Sequence, residues 1–277
     1  MSPNPSGREN GYKRASRRDG VPTYWLTAMA ILPVAAVAAL FLCLRPLWRA
    51  YQVEDLLNQL DYCVPETCHE EVAGLAVMGE DAIDSVATWI ADSDVIRRRK
   101  AVLVLTQIRS ERVSPLLLEA LKDEDEYVWE TAHTGLVRLW RHSSNPEIES
   151  LFRREALPQV ERGEWKGACA ALDQILNKEP EFAEAHFQRA NALYNLGDYD
   201  GCMRDCLEAL RHNPSHFSAL LLLGTCYHRM GSWGLAYDAF VRALTVNPHL
   251  TAAREYKDFY DRTRVMFIVV FTSVAPR

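Results

Sequence analysis

The stretch GDYDGCMRDCLEALRHNP, residues 197–214, contains the landmarks that decide the fold. It begins with a glycine, which permits a tight turn, and it ends at Pro214, which cannot continue a helix. It aligns without a gap with GEWKGACAALDQILNKEP (163–180) and with GSWGLAYDAFVRALTVNP (231–248), at a constant offset of 34 residues. A fixed period in this range is the signature of a helical repeat array. The sequence therefore predicts stacked helical hairpins in this part of the chain.

The two complete copies resemble the tetratricopeptide repeat (TPR) family. They read AEAHFQRANALYNLGDYDGCMRDCLEALRHNP (183–214) and FSALLLLGTCYHRMGSWGLAYDAFVRALTVNP (217–248). The family has small residues where its paired helices touch, and small residues stand there in both copies. These are Ala190, Cys202 and Ala209 in one, and Gly224, Ala236 and Ala243 in the next. The resemblance implies a TPR region over 149–250. Pro158 lies inside the first helix of the earliest copy, where it predicts a kink or a short start.

Cys202 and Cys206 are four residues apart, so a helix would place them on the same face, as a metal or redox pair or as a packing seam. The aligned positions in the neighbouring copies hold Ala168 with Leu172 and Ala236 with Phe240. Those are packing residues, and a buried cysteine behaves as a small hydrophobe. A metal site would need ligands at a recognisable spacing, and the sequence has no CxxC or HExxH motif. We predict packing, no metal site and no cofactor.

A second repeat with a period of 31 residues precedes the TPR region. Asp94 and Asp125 are separated by that distance, as are Ala101 and Ala132. The pattern resembles short HEAT-like helical hairpins and predicts such repeats over 66–142. Neither repeat type can bury its apolar face alone, so neighbours must stack. The predicted fold class is therefore an all-α solenoid. The run IRRRK (96–100) is either a nucleic-acid patch or a solvated first helical turn, and we favour the solvated turn.

The N-terminal part predicts a membrane anchor. Residues 1–22 form a basic tail with a net charge of +3, and no charge occurs between Asp19 and Arg45. About 20 apolar residues suffice to span a bilayer, so we predict a transmembrane helix over 23–44 and a helical stalk over 45–65. The excess of basic residues before the span favours a cytoplasmic N-terminus with the bulk of the chain on the other side. A cleaved signal peptide is the alternative.

The TPR resemblance also implies a partner-binding groove. In that family the first helix of each repeat lines a concave groove that receives peptides. The alternative is that some of these residues pack against a capping helix. The basic clamp of chaperone-tail binders is not reproduced, since Leu157, Gln188, Ser218 and Leu222 occupy clamp positions and only Arg153 fits. That argues against a partner recognised by paired terminal carboxylates. The groove positions carried onto this chain are Glu184, Phe187, Asn191, Tyr194, Asn195, Ser218, Leu221, Thr225, His228 and Arg229.

Residues 251–277 predict a polar capping helix over 251–264 and then a hydrophobic tail, VMFIVVFTSVAP (265–276). The tail packs on the solenoid, inserts in the groove, or meets a membrane or a partner. The stretch DYCVPETCHE (61–70) contains Cys63 and Cys68, for which the sequence leaves three interpretations open. They form a disulfide, they are unpaired structural thiols, or they are a site of redox or metal chemistry.

These features predict a function without catalysis. The net charge of −6 gives no electrostatic reason to expect nucleic acid. We predict a membrane-anchored scaffold that uses the TPR groove to bind a protein or peptide partner, in assembly or maintenance of a membrane complex. The alternative is a cofactor- or pigment-handling lyase-like enzyme, or a thiol-redox helper at Cys63 and Cys68. The sequence gives no indication of oligomeric state.

Overall fold

A computed structural model describes residues 44–63 and 68–273 of the chain, with the side chains of the last helix described through residue 263. The chain divides into two units, residues 1–49 and residues 50–277. In the first unit, residues 44–49 are helical. The predicted basic tail (1–22) and nearly all of the predicted transmembrane segment lie outside the described residues.

The second unit is built from helices, and its described residues contain no strand. This confirms the all-α solenoid prediction. In chain order the helices are α1 (50–62), α2 (His69–Met78), α3 (Glu80–Ile90), α4 (Val95–Gln107), α5 (Ser114–Ala120), α6 (Glu126–Trp140), α7 (Pro146–Leu151), α8 (Leu157–Glu161), α9 (Trp165–Lys178), α10 (Ala183–Leu196), α11 (Tyr199–His212), α12 (Phe217–Arg229), α13 (Trp233–Val246) and α14 (Thr251–Ser273).

The two aspartates of the 31-residue period begin equivalent helices. Asp94 precedes α4 and its carboxylate accepts from the Ile96 backbone N–H at 2.9 Å. Asp125 does the same for α6, accepting from Val128 at 3.2 Å. An aspartate at this position satisfies a backbone donor that the first helical turn leaves unpaired. The repeated aspartate therefore sets where each of these helices begins.

Helices α1 to α6 share one core, and we call residues 50–140 the upstream region; α1 packs in that core and does not form the predicted stalk. Val53 is 2% exposed and Leu60 is fully buried, and both pack with apolar residues of α2 to α6. Lys100 of α4 lies beneath the end of α1, where its ammonium donates to the Leu60 carbonyl at 2.6 Å and to the Asp61 carbonyl at 2.9 Å. The cation thus binds carbonyls that α1 leaves unpaired at its C-terminal end.

The 34-residue period forms the hairpins α10–α11 and α12–α13. Gly163, Gly197 and Gly231 begin the turns and all have positive φ, between 72° and 83°. That backbone conformation is strained for residues with a Cβ, which explains the glycine at each turn. Cys202 and Cys206 are fully buried in the helix seam, as the packing interpretation predicts.

Pro158 is accommodated by a π-helical turn, Phe152–Ala156, that joins α7 to α8. The Leu157 backbone N–H bonds to the Phe152 carbonyl, five residues earlier. Proline has no N–H to bond four residues back, and a π turn is one of the recognised ways in which a helix absorbs such a break. The predicted irregularity therefore occurs one turn before the proline.

The predicted single-pass membrane localisation requires correction. Within residues 44–63 and 68–273, no helix is sufficiently long and apolar to cross a membrane. Helix α14 has 23 residues, but its first half carries charged residues such as Arg254, Glu255 and Lys257. The segment 23–44, on which the membrane prediction rested, lies outside the described residues except for Leu44.

Candidate partner-binding face

Helices α10 and α12 lie side by side and present the predicted groove residues on one surface, which we call the inner face. Its middle consists of Asn191, Tyr194 and Asn195 on α10 and of Leu221, Thr225 and Arg229 on α12. These side chains are exposed or half-buried. The Asn195 amide donates to the Asn191 carbonyl at 2.8 Å, while Arg229 Nε donates to the Tyr194 hydroxyl at 3.3 Å. The latter contact joins the two helices.

One end of the inner face is closed by a buried polar cluster. Glu184 is only 2% exposed, and its carboxylate accepts from Gln188 at 2.7 Å. The same carboxylate lies 3.0 Å from His216 Nε2 and 3.4 Å from Arg141 Nε. Phe187 packs against the His216 ring, with a centroid distance of 4.8 Å. The predicted binding residues Glu184 and Phe187 are therefore engaged within the chain, and Ser218 beside them is half-buried.

The other end of the inner face is covered by α14. His228 Nδ1 lies 2.7 Å from the Tyr260 hydroxyl, and the Tyr256 ring is 5.1 Å from the imidazole. The alternative of packing against the capping helix therefore holds for His228. Of the ten predicted groove residues only Glu184 is buried, and the six residues of the middle lie between the polar cluster and α14.

Helix α6 of the upstream region crosses the N-terminal ends of α10, α12 and α14. Trp129 stacks on His249 at a centroid distance of 4.4 Å, and Trp140 packs on His216 at 4.7 Å. His133 contacts the Phe217 ring at 4.8 Å. Sequence reasoning missed this docking. A signal existed, because Trp129, His133 and Trp140 follow the spacing of one helical face that the repeat alignment does not require.

Comparison with known proteins identifies the repeats. A sequence profile described as "Tetratricopeptide repeat" matches residues 183–216. The chain contains TPR repeats. A protein of Plasmodium berghei named "58 kDa phosphoprotein" is 29% identical over 96 residues, which cover 34% of this chain and 23% of that protein. The chain therefore matches less than a quarter of the length of this curated relative.

Solved structures of TPR domains are similar to part of the chain. One is the first TPR of Spaghetti (RPAP3) bound to the HSP90 peptide SRMEEVD. It is 17% identical, with a TM-score of 0.42, and the match covers 45% of this chain and 98% of that one. Another is the TPR2B domain of yeast Sti1 in a complex with pHsp70, 22% identical, with a TM-score of 0.39 and coverage of 44% and 99%. The comparisons give no support to the HEAT-like classification of 66–142.

The cysteines of the TPR region are placed for packing. Cys202 Sγ and Cys226 Sγ are 2.9 Å apart in the interior. The hydrogen bond with Cys206 and burial raise the pKa of the Cys202 thiol, and the hydrogen bond with Cys202 and burial raise that of Cys226. No group of three or more histidine, cysteine or carboxylate residues in the described ranges is arranged to hold a metal ion.

A second buried polar cluster joins α10 to α11 in the TPR region. Asp205 accepts two hydrogen bonds from Arg189, at 2.7 and 2.6 Å, and lies 3.2 Å from His186 Nδ1. Burial opposes ionisation of this carboxyl, but the hydrogen bonds from Arg189 and His186 outweigh it and lower the Asp205 pKa. Because every member is paired within the cluster, its role is to hold the two helices together.

The basic run 96–100 lies at the start of α4, as expected, but its arginines are half-buried in ion pairs and are not freely solvated. Two-pronged contacts join Arg97 to Asp61, Arg98 to Asp123 and Arg99 to Asp125, all at 2.6–3.1 Å. Such paired contacts fix both the distance and the plane of the guanidinium. The run therefore connects α4 to α1 and to the loop before α6, and it does not form a free basic patch.

Cys63 and Cys68 form a disulfide, with Cα atoms 5.8 Å apart. It lies between α1 and α2, and Cys68 is 1% exposed within the core of the upstream region. The sequence left three interpretations open for this pair, and the structure has the disulfide.

Proposed function

We propose that the protein is an interaction scaffold that binds a peptide segment of a partner protein on the middle of the inner face. The observation that carries the proposal is the group of Asn191, Asn195 and Tyr194 beside Leu221, in which Asn195 is exposed and the other three residues are half-buried. Asparagine amides both donate and accept, which matches the alternating donors and acceptors of an extended peptide backbone. Tyr194 and Leu221 supply adjoining apolar surface, and tyrosine is common at binding hot spots.

The TPR match at residues 183–216 supports the proposal, because it includes the whole of α10 and therefore half of the inner face. The sequence resemblance assigns the first helix of each repeat to ligand contact. The closed ends restrict the proposed contact to the middle of the face, since Glu184 and His228 are engaged within the chain. The contacts that the inner face itself supplies would therefore lie near the centres of α10 and α12.

The proposed role requires no chemical reaction. The scaffold would act by holding its partner close to any other molecule that the protein binds. The alternative, a cofactor- or pigment-handling enzyme or a thiol-redox helper at Cys63 and Cys68, would need a reactive thiol, whereas that pair forms a disulfide in which Cys68 is 1% exposed. Burial contributes to the raised pKa of Cys202 and of Cys226, which disfavours thiolate formation at either residue near neutral pH.

The proposal is tested by affinity capture with the immobilised full chain, followed by mass spectrometry. We compare the wild type with Asn191→Ala/Tyr194→Ala. The matched control is Arg204→Ala/Leu207→Ala, two exposed residues on the outer surface of α11. Circular dichroism establishes that all three proteins have the same helix content.

We expect the inner-face variant to lose a partner that the wild type and the α11 control both retain. That partner is then tested as overlapping synthetic peptides against purified protein. Retention of every wild-type partner by Asn191→Ala/Tyr194→Ala, or equal losses in both variants, would refute the proposed face.

A further inference from the structure

A cavity of about 370 Å³ lies between α6 and the segment that contains α7 and α8. Its charged lining is entirely basic, with three arginines and no aspartate or glutamate, in a protein whose net charge is −6. A concentration of one sign of charge in a concave site favours ligands of the opposite sign. The lining residues are His133, Thr134, Val137, Arg138, Arg141, Arg153 and Leu157.

The guanidinium groups of this cavity have donors to spare. Arg138 is exposed and has no hydrogen bond or ion pair with any residue that the structure describes. Arg153 Nε lies 2.9 Å from Glu149 Oε1 in an ion pair, and Arg141 donates from Nε to Glu184 at a long 3.4 Å. A guanidinium carries five N–H donors, so each of these two arginines keeps its terminal NH₂ groups for another acceptor. The two carboxylates offset part of the positive charge without lining the cavity.

The cavity adjoins the inner face. Arg141 lines it and also contacts Glu184, the second residue of α10, where the inner face begins. Arg153 and Leu157 belong to the helical segment that precedes α9 and α10 in the TPR region. A peptide on the middle of the inner face could therefore extend past Glu184 toward the three arginines.

We propose that this cavity binds an anionic side chain, a carboxylate or a phosphate, of an acidic segment in the partner. The inference rests on the proposed function, because it assigns the partner's charge and the direction in which it continues. Arginine is suited to this task, since its planar donors match the paired oxygens of both anions. Arg138 and Arg141 come from α6 and the residue after it, outside the TPR repeats, whereas Arg153 and Leu157 occupy clamp positions of the family pattern, of which only Arg153 is basic.

Two fluorescein-labelled peptides test the cavity by fluorescence anisotropy with the full chain. One is hexaglutamate, and the other is a glycine–serine hexapeptide with two phosphoserines. We compare the wild type with Arg138→Gln and with the control Arg154→Gln. Arg154 is exposed and adjacent to Arg153, but it does not line the cavity. The two substitutions change the net charge equally.

We expect at least one of the peptides to bind the wild type, and Arg138→Gln to weaken that binding about tenfold, as for loss of one charge-assisted hydrogen bond. Arg154→Gln should change it by less than about threefold, as a general charge effect does. Binding of hexaglutamate identifies a carboxylate site, and binding of the phosphopeptide alone identifies a phosphate site. The proposal is refuted if neither peptide binds, or if both variants weaken binding equally.

The same titration distinguishes this proposal from the proposed function. Asn191→Ala/Tyr194→Ala leaves the cavity intact, so it should bind the short peptides as the wild type does even if it loses a captured partner. Failure of the inner face alone would appear as unchanged capture with intact anion binding. Failure of the cavity alone would appear as selective capture without sensitivity to Arg138→Gln.

Discussion

Gly224 is the position at which the seam of the TPR region can be tested most directly. It lies within α12 and is fully covered by the Phe240 ring of α13. A Cβ at Gly224 would lie 2.6 Å from Phe240 Cε1 and 2.8 Å from Cδ1. Those atoms belong to a fully buried ring that stacks on Tyr256 at a centroid distance of 4.6 Å and an interplanar angle of 1°. Full burial and the stacking on Tyr256 therefore oppose displacement of the ring.

Gly224→Ala brings two opposed contributions to the free energy of unfolding. Alanine in a helix interior is favoured over glycine by about 1 kcal/mol. Forcing a methyl group into a filled interior costs about 1–3 kcal/mol. We therefore expect a net loss of about 1 kcal/mol, which in a protein of this size lowers Tm by about 3 °C. The steric cost of a methyl group in the narrow α12–α13 interface is therefore larger than the gain in helix preference.

Gly234→Ala is the matched control. Gly234 lies in the first turn of α13, and a Cβ there meets nothing within 4 Å. Only the helix preference remains, so this substitution should be neutral or stabilising by up to about 0.5 kcal/mol near a helix end. Thermal unfolding followed by circular dichroism at 222 nm, with urea titration as a second measurement, compares the two variants. A Tm for Gly224→Ala equal to or above that of Gly234→Ala would show that the seam is not closely packed.

Three further outcomes concern the upstream region and the cysteines. The hydrogen bond from Arg97 holds the pKa of Asp61 below its usual 3.8, so this contact stabilises the fold above that pH, and the stabilisation is lost as the pH falls through the lower folded pKa. Urea titrations from pH 2.5 to 7 should show the largest difference between Arg97→Gln and wild type above pH 4, and a difference independent of pH would contradict this. Reducing the Cys63–Cys68 disulfide, which joins residues five apart, should lower the free energy of unfolding by about 2 kcal/mol. Urea titrations with and without a phosphine reductant should show this loss, whereas the stability of Cys63→Ser/Cys68→Ser should not change with the reductant. Cys202 is fully buried and its pKa is raised, so a disulfide reagent at pH 8 should modify it only after urea is added, and peptide mapping that found it modified in the native protein would contradict the packing interpretation.

The parts of the fold that could be predicted from the sequence are those fixed by local chemistry. Gly197 and its two counterparts have positive φ because a tight turn between paired helices requires it, and this is visible as a glycine every 34 residues. Asp94 and Asp125 begin helices because their carboxylates bond backbone donors two or three residues away. Such interactions span a few residues, so a single sequence records them directly.

The candidate site was predicted only in part because its ends depend on contacts between distant segments. Glu184 occupies a ligand-facing position by family pattern, yet Arg141 lies 43 residues before it and His216 lies 32 residues after it. The run IRRRK reads as solvated for the same reason, since Asp61, Asp123 and Asp125 are 25 to 36 residues away. The sequence has no periodicity that indicates which carboxylate pairs with which arginine.

The docking of α6 makes the upstream region and the TPR region one binding unit. Phe217 is the first residue of α12, but it is fully buried partly because Trp140 covers it at a centroid distance of 5.0 Å. Removal of α6 would expose that ring, and it would leave the buried Glu184 carboxylate without Arg141, a loss that is costly for a charge in the interior. The same helix supplies Arg138 to the basic cavity. A TPR fragment without α6 would therefore lack both a stable edge and part of its proposed site, so the partner of this protein has to be sought with both regions present.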